Sequence, residues 1–238
     1  MELKLLKKPK NPTLIVGFPG FGLVGTISTE FLIDHLDTEQ IGRLTANDMP
    51  AIVAIHENKV VDPLGIFYNK KHNIVILHAI SAVAGIEWKL AESIVKIVNE
   101  LGVKEIISLE GVGSAEGTAS KKTRVFYYTK SDVKRKLLDK LGIEPLKEGI
   151  IMGVTGALLL RIEKRPVSCF FAETETNMPD SKAAAKIIES LDKYMSLKVD
   201  TKPLLEQATK FEDKLRGIMS KSKAAEEMSE AKKLSYVG

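Results

Sequence analysis

Gly17-Phe18-Pro19-Gly20-Phe21-Gly22-Leu23-Val24-Gly25 is the stretch on which the fold reading turns. The run before it, Thr13 to Val16, is entered from Asn11-Pro12 and stopped by glycine, which predicts a short buried strand. The run after it, Leu23 to Leu36, sets Val24, Ile27, Phe31, Leu32 and Leu36 on one face and predicts a helix. Between them Gly20, Gly22 and Gly25 spell G-x-G-x-x-G, a geometry that lets backbone approach a pyrophosphate at a helix N-terminus. A dinucleotide site also needs an acid about 20 residues on to hold the ribose. Asp48 lies at a suitable distance, but the strands after it read as an antiparallel meander. The same glycines serve equally well for a tight turn and close helix packing.

That meander comprises the predicted strands Ile41 to Ala46, Ala51 to His56, Val60 to Tyr68 and Ile74 to His78, separated by Asn/Asp/Pro turn signals. Connections this short require antiparallel neighbours, because a parallel crossover needs a dozen or more residues. Further on, Glu87 to Leu101 predicts a helix with Trp88, Ala91, Ile94, Val95 and Val98 on its apolar face and Gly102 as its stop. Val103 to Leu109 reads as a strand ending in the loop Glu110-Gly111-Val112-Gly113-Ser114, and Val125 to Tyr128 as another. Ser131 to Leu141 reads as a capped helix, Gly149 to Gly153 as a short buried strand and Ala157 to Ile162 as helical. Val167 to Ala172 reads as a strand and Ser181 to Tyr194 as a helix. The pattern predicts an α/β fold, a mixed sheet flanked by helices.

From Thr201 to Leu234 the composition changes to Lys, Glu and Ala with a single glycine, Gly217, and Pro203 stands where a helix can start. Ala208, Phe211, Leu215 and Ile218 recur at a 3-4-3 spacing that draws one seam on a helix. That helix either packs back on its own domain or projects to meet a partner. The expected division is a core domain over residues 1–198 and a C-terminal helical extension over residues 199–238.

Composition removes several function classes. With 44% hydrophobic and 28% charged residues the chain is globular rather than disordered. Lys+Arg number 35 against 31 Asp+Glu, a net +4 without a basic-aromatic patch, so no nucleic acid is expected. The charge-free stretch Thr13 to Thr29 is broken by glycines and Pro19, and no other apolar run reaches the roughly 20 residues of a span, so no membrane is expected. The lone Cys169 excludes an intrachain disulfide and points to a reducing, cytoplasmic setting. His35, His56, His72 and His78 lack metal-ligand spacing, and no metal is expected. Only two glutamines, Gln40 and Gln207, occur beside abundant Lys and Glu, a thermophilic bias. For a ligand, Glu110, Ser114 and Thr123-Arg124 are candidates for a pocket at a strand end, and Glu173 with Glu175 for a carboxylate pair. Spacing gives no catalytic constellation.

The segment Gly17-Phe18-Pro19-Gly20-Phe21-Gly22-Leu23-Val24-Gly25 followed by a helix looks like the opening signature of the PAC2 family, the proteasome assembly chaperones and their archaeal homologues. The resemblance continues through the strand-rich stretch, the helix with Trp88 and the Glu110-Gly111-Val112-Gly113 loop, over about residues 10 to 195. It implies a fold like the purine nucleoside phosphorylase and hydrolase class, a homo-oligomer such as a ring, no cofactor, and a non-enzymatic role with proteasome subunits or a second chaperone subunit as partners. Archaeal members are similar in carrying a C-terminal helical extension, some with a terminal hydrophobic-Tyr-any motif that docks between proteasome α-subunits. Here Tyr236 stands third from the end, in Leu234-Ser235-Tyr236-Val237-Gly238, which leaves self-assembly or another chaperone subunit as alternatives for the tail. The expected partner-binding residues are Phe211, Leu215, Ile218, Leu234, Tyr236 and Val237. The competing expectation is a nucleotide- or nucleoside-binding hydrolase or phosphorylase using the Gly20-Gly22-Gly25 turn.

Overall fold

A computed structural model describes residues 1–49, 51–56, 58–81, 83–113, 123–174, 178–206, 217 and 220. In chain order the first half holds β1 (Glu2–Leu5), β2 (Thr13–Gly17), α1 (Val24–His35), β3 (Glu39–Thr45), β4 (Ala54–His56), β5 (Lys59–Val61), β6 (Leu64–Asn69), β7 (Ile74–Ala79) and α2 (Glu87–Leu101). The second half holds β8 (Glu105–Gly113), β9 (Val125–Thr129), α3 (Asp132–Lys140), β10 (Glu144–Pro145), α4 (Gly153–Arg161), β11 (Val167–Thr174), α5 (Ser181–Met195) and α6 (Lys202–Glu206). Among the described residues nine strands form one sheet in the order β1-β3-β6-β7-β2-β8-β11-β9-β10, and β4 and β5 pair apart from it.

The fold is α/β with a mixed sheet flanked by helices, as the sequence predicts. β7, β2, β8 and β11 run parallel through the centre, while β3, β6 and β9 are antiparallel to their inner neighbours. The central strands are unbroken apolar runs because both faces are covered. In β2, Leu14 and Val16 face one core with α2 and α4, whereas Ile15 faces the other with α1 and α5. The same alternation divides Val75 and Leu77 from Ile74 and Ile76, and Cys169 and Phe171 from Phe170 and Ala172.

Several elements depart from the sequence reading. The Val60 to Tyr68 run is two strands, since Pro63 has no N–H for a ladder, and β3 pairs with β6 rather than with β4. β4 and β5 make a separate hairpin, Ile55 opposite Val60. The expected glycine loop after Leu109 is strand as far as Gly113, because β11 runs beside it to the pairs Glu173–Val112 and Thr174–Gly113. Gly149 to Gly153 is not a buried strand: no strand among the described residues pairs with it, and Ile150 is 87% exposed. Trp88 is not on the buried face of α2 but half-exposed under the Arg161 guanidinium, 5.3 Å from its ring centroid. The N-terminal strand β1, a lysine-alternating segment, is an addition to the predicted elements; it pairs with β3 and forms the edge of the sheet.

Candidate functional site

The glycine turn owes its shape to how closely α1 approaches the sheet. A Cβ on Gly17 would stand 2.2 Å from the carbonyl oxygen of Gly25, and one on Gly25 would stand 2.4 Å from that of Leu109. Glycine is therefore required at both places for α1 to pack on β2 and β8. Phe21 to Leu23 form a single 3-10 turn in which Gly22 lies at φ 60° and Leu23 at φ 49°, a left-handed conformation costing a leucine about 1–2 kcal/mol. The turn is tied to the rest of the edge: the Asp180 N–H donates to the Gly22 carbonyl at 2.8 Å, and Thr174 donates to the Asp180 carboxylate at 2.9 Å. Asp180 in turn caps α5 by accepting from the Ala183 N–H at 2.9 Å.

This arrangement differs from a dinucleotide site in the strand that follows α1. β3 does not return parallel beside β2 but lies three strands away in the sheet order, antiparallel to β6. Asp48 is paired with Lys89 of α2, an ion pair that holds its carboxyl below the ordinary range.

Beside the turn, at the carboxyl ends of β2, β8 and β11, a cleft of about 1080 Å³ opens. This edge is where α/β sheets bind ligands. Its walls are Phe18, Phe21, Val83, Phe126, Leu146, Ile150 and Met152, and Glu110 and Gly111 of β8 line it too. A Cβ on Gly111 would stand 2.1 Å from the Phe21 carbonyl oxygen, so a glycine there lets the turn lie on the strand. Glu110 accepts a hydrogen bond from Thr155 of α4, whose hydroxyl oxygen lies 2.6 Å from that of Ser108. Burial pushes the Glu110 carboxyl up to about 7, against the opposing effect of the Thr155 hydroxyl. Arg124 binds Glu173 through two hydrogen bonds of 3.0 Å and lies 5.2 Å from the Phe126 ring centroid. With Glu87, Glu144, Glu148 and Lys147 also lining the cleft, five carboxyl groups face two cations among the described residues.

Of the pocket residues expected from sequence, Glu110 and Arg124 do meet in this cleft, whereas Thr123 is not among its lining. Ser114 and Glu175 lie outside the described residues. Glu173 joins the site through its ion pair with Arg124; its expected carboxylate partner Glu175 is outside the described residues. Cys169 is wholly buried, and burial followed by the charge of Glu110 pushes its thiol up. The six tail residues Phe211, Leu215, Ile218, Leu234, Tyr236 and Val237 lie outside the described residues.

Two buried polar clusters belong to the framework. His78 sits between Thr29, 2.8 Å from Nδ1, and a Glu30 carboxylate oxygen, 2.7 Å from Nε2. At the opposite edge of the sheet Glu105 accepts from Ser168 at 2.6 Å, Tyr194 at 2.7 Å and Lys134 at 2.5 Å. Burial and then the Glu105 charge push the Tyr194 hydroxyl up. The sequence signal for this cluster is a charge at the head of an otherwise apolar strand, Glu105-Ile106-Ile107-Ser108-Leu109. Among the described residues there is no His/Cys/Asp/Glu group fit to hold a metal, and no helix is long and apolar enough to cross a membrane.

The profile described as the PAC2 family matches residues 14–219. The crystal structure of Pyrococcus furiosus PbaA, an archaeal homolog of proteasome-assembly chaperone, is similar with a TM-score of 0.83 and 31% identity, covering 97% of this chain and 100% of that one. Pyrococcus furiosus PbaB, an archaeal proteasome activator, shares the fold with a TM-score of 0.76 at 22% identity, covering 91% of this chain and 98% of its own. An uncharacterized protein of Methanocaldococcus jannaschii is 28% identical over 225 residues, 91% of each chain.

Proposed function

The chain belongs to the PAC2 family, and on that premise we propose that it is a non-enzymatic, homo-oligomeric proteasome assembly chaperone or chaperone-like scaffold. The observation that carries this reading is the likeness to PbaA over 97% of the chain at 31% identity. Its partners are further copies of itself and proteasome subunits or a second chaperone subunit, and the reading carries with it a cytoplasmic setting, which suits the single thiol Cys169. Partner capture falls to the C-terminal extension, residues 199–238, through Phe211, Leu215, Ile218, Leu234, Tyr236 and Val237, and the body over residues 1–198 serves as its platform. A rigid oligomer that displays several copies of a weak binding segment gains avidity without any new contact.

Self-association has a physical basis in the β4–β5 hairpin. Ile55 and Val60 are cross-strand partners, and Val53 stands just before the hairpin. These three side chains are 74%, 61% and 58% exposed. An isolated two-stranded ribbon is marginal on its own, and burying this face against a second copy removes apolar surface from water.

The test is capture of proteasome α-subunits by the full chain and by a chain ending at Glu206. The cut spares Leu204, which is buried with the α5 residues Ile187, Ile188 and Leu191. Capture by the full chain and its loss on truncation are expected; undiminished capture by the shortened chain would remove the tail from the account. The nucleotide or nucleoside reading has one feature in its favour, the cleft beside the glycine turn, but the excess of carboxyl groups there opposes a phosphate. A nucleotide at 100 times its dissociation constant would stabilise the fold by about 2.7 kcal/mol, so a thermal-shift screen without response sets that reading aside.

A further inference from the structure

We propose that the cleft at the carboxyl edge of β2, β8 and β11 is a docking groove for a segment of a partner polypeptide in which a lysine or arginine is flanked by apolar side chains, the cation set against Glu110 and the apolar groups against Phe21, Ile150 and Met152. Occupancy of this groove does not depend on the tail's role in capture.

Charge decides the sign of the occupant. The whole chain carries +4, yet the described lining of the cleft holds five carboxyl groups against two cations, so the local field opposes that of the molecule. One cation, Arg124, is already engaged by both carboxylate oxygens of Glu173. Glu110, which like Glu173 stands on a central strand, has the hydroxyl of Thr155 as its hydrogen-bond donor and Ser108 behind that, whereas Glu173 is engaged by Arg124. A carboxyl drawn out of water in this way favours its charged form only when a cation arrives. A phosphate, a nucleic acid or an anionic membrane surface would meet repulsion here.

Shape and hydrophobicity decide its kind. Phe21, Ile150 and Met152 line the cleft while 42%, 87% and 66% exposed, apolar side chains turned to solvent, and Phe and Met are types enriched at protein interfaces. Met152 adds a flexible thioether that adapts to different side chains. At about 1080 Å³ the cleft is at the upper end of small-molecule pockets and has room for several residues of extended chain.

The test uses the full chain and a fluorescein-labelled peptide, acetyl-Leu-Ser-Lys-Tyr-Leu-amide, followed by fluorescence anisotropy beside the same peptide with Nε-acetyl-lysine. The lysine peptide is expected to bind at least about tenfold more tightly than its acetylated form, and Glu110→Gln to abolish that difference. Ile150→Ser and Met152→Ser, at exposed positions where folding is not at stake, are expected to weaken both peptides several-fold. Absence of saturable binding, equal binding of the two peptides, or displacement of the lysine peptide by adenosine monophosphate from the wild type would overturn the proposal. None of these outcomes bears on capture through the tail, which is read by truncation after Glu206.

Discussion

At the scale of single residues, the glycine motif separates into positions that shape the fold and one that does not. Gly25 faces backbone atoms at 2.4 and 3.0 Å, neither of which can move aside as a flexible side chain would, whereas the nearest atom to a Cβ on Gly20 is 3.9 Å away. Gly25→Ala is therefore expected to destabilise the fold by about 1–3 kcal/mol in a denaturant titration, and Gly20→Ala to change it by less than about 0.5 kcal/mol. Equal losses at the two positions would contradict the packing account. Glu110 supplies a pH signature. Its carboxyl ordinarily titrates near 4.5 but is held up to about 7 in the folded chain, so between those values the native state keeps a proton that the unfolded chain has released. The stability it contributes is complete below the lower value and is lost as pH rises through the window. Glu110→Gln should match the wild type at pH 4 and exceed it at pH 8 by on the order of 1–3 kcal/mol. A constant difference across that range would show that Glu110 does not titrate as described.

At the scale of elements, the sequence is legible wherever periodicity and punctuation agree. Helix α2 begins and ends where Glu87 and Gly102 indicate, with Gly102 at φ 64° as its left-handed stop. The parallel strands β2, β7 and β11 are legible because burial on both faces leaves an unbroken apolar run. The cleft is half legible: Glu110 and Arg124 are marked by their place at strand ends, but the apolar rim is not. Ile150 and Met152 look like core residues, and only the absence of a pairing strand reveals them as surface. Trp88 misleads in the same way, since its helical spacing says buried while a guanidinium at 5.3 Å covers its face instead. Glu105 escapes the reading because its partners Ser168, Lys134 and Tyr194 come from three separate elements. The β4–β5 hairpin carries a prediction of its own. Replacing Val53, Ile55 and Val60 together by serine should lower the mass measured by light scattering while leaving the thermal midpoint of the separated protomer unchanged. An unaltered assembly would move the self-contact to another face.

At the scale of the whole molecule, the sheet that nine strands form among the described residues carries helices on both faces, with a cleft at one edge and an apolar hairpin paired apart from the sheet, and the sequence continues beyond α6 into a segment rich in Lys, Glu and Ala. Such a body suits an assembly factor: a stable platform that meets copies of itself by one surface and partner proteins by others. A chain ending at Glu206 keeps Leu204, which is buried with Ile187, Ile188 and Leu191, and is expected to fold. The most direct test of the central claim is co-purification of proteasome α-subunits with the full chain, set beside a chain ending at Glu206 whose circular dichroism and melting curve are recorded in parallel. The account predicts capture by the full chain and loss of capture by an equally folded truncation. Failure of the full, folded chain to retain α-subunits alone or with a second chaperone subunit, or retention unchanged by the truncation, would contradict it.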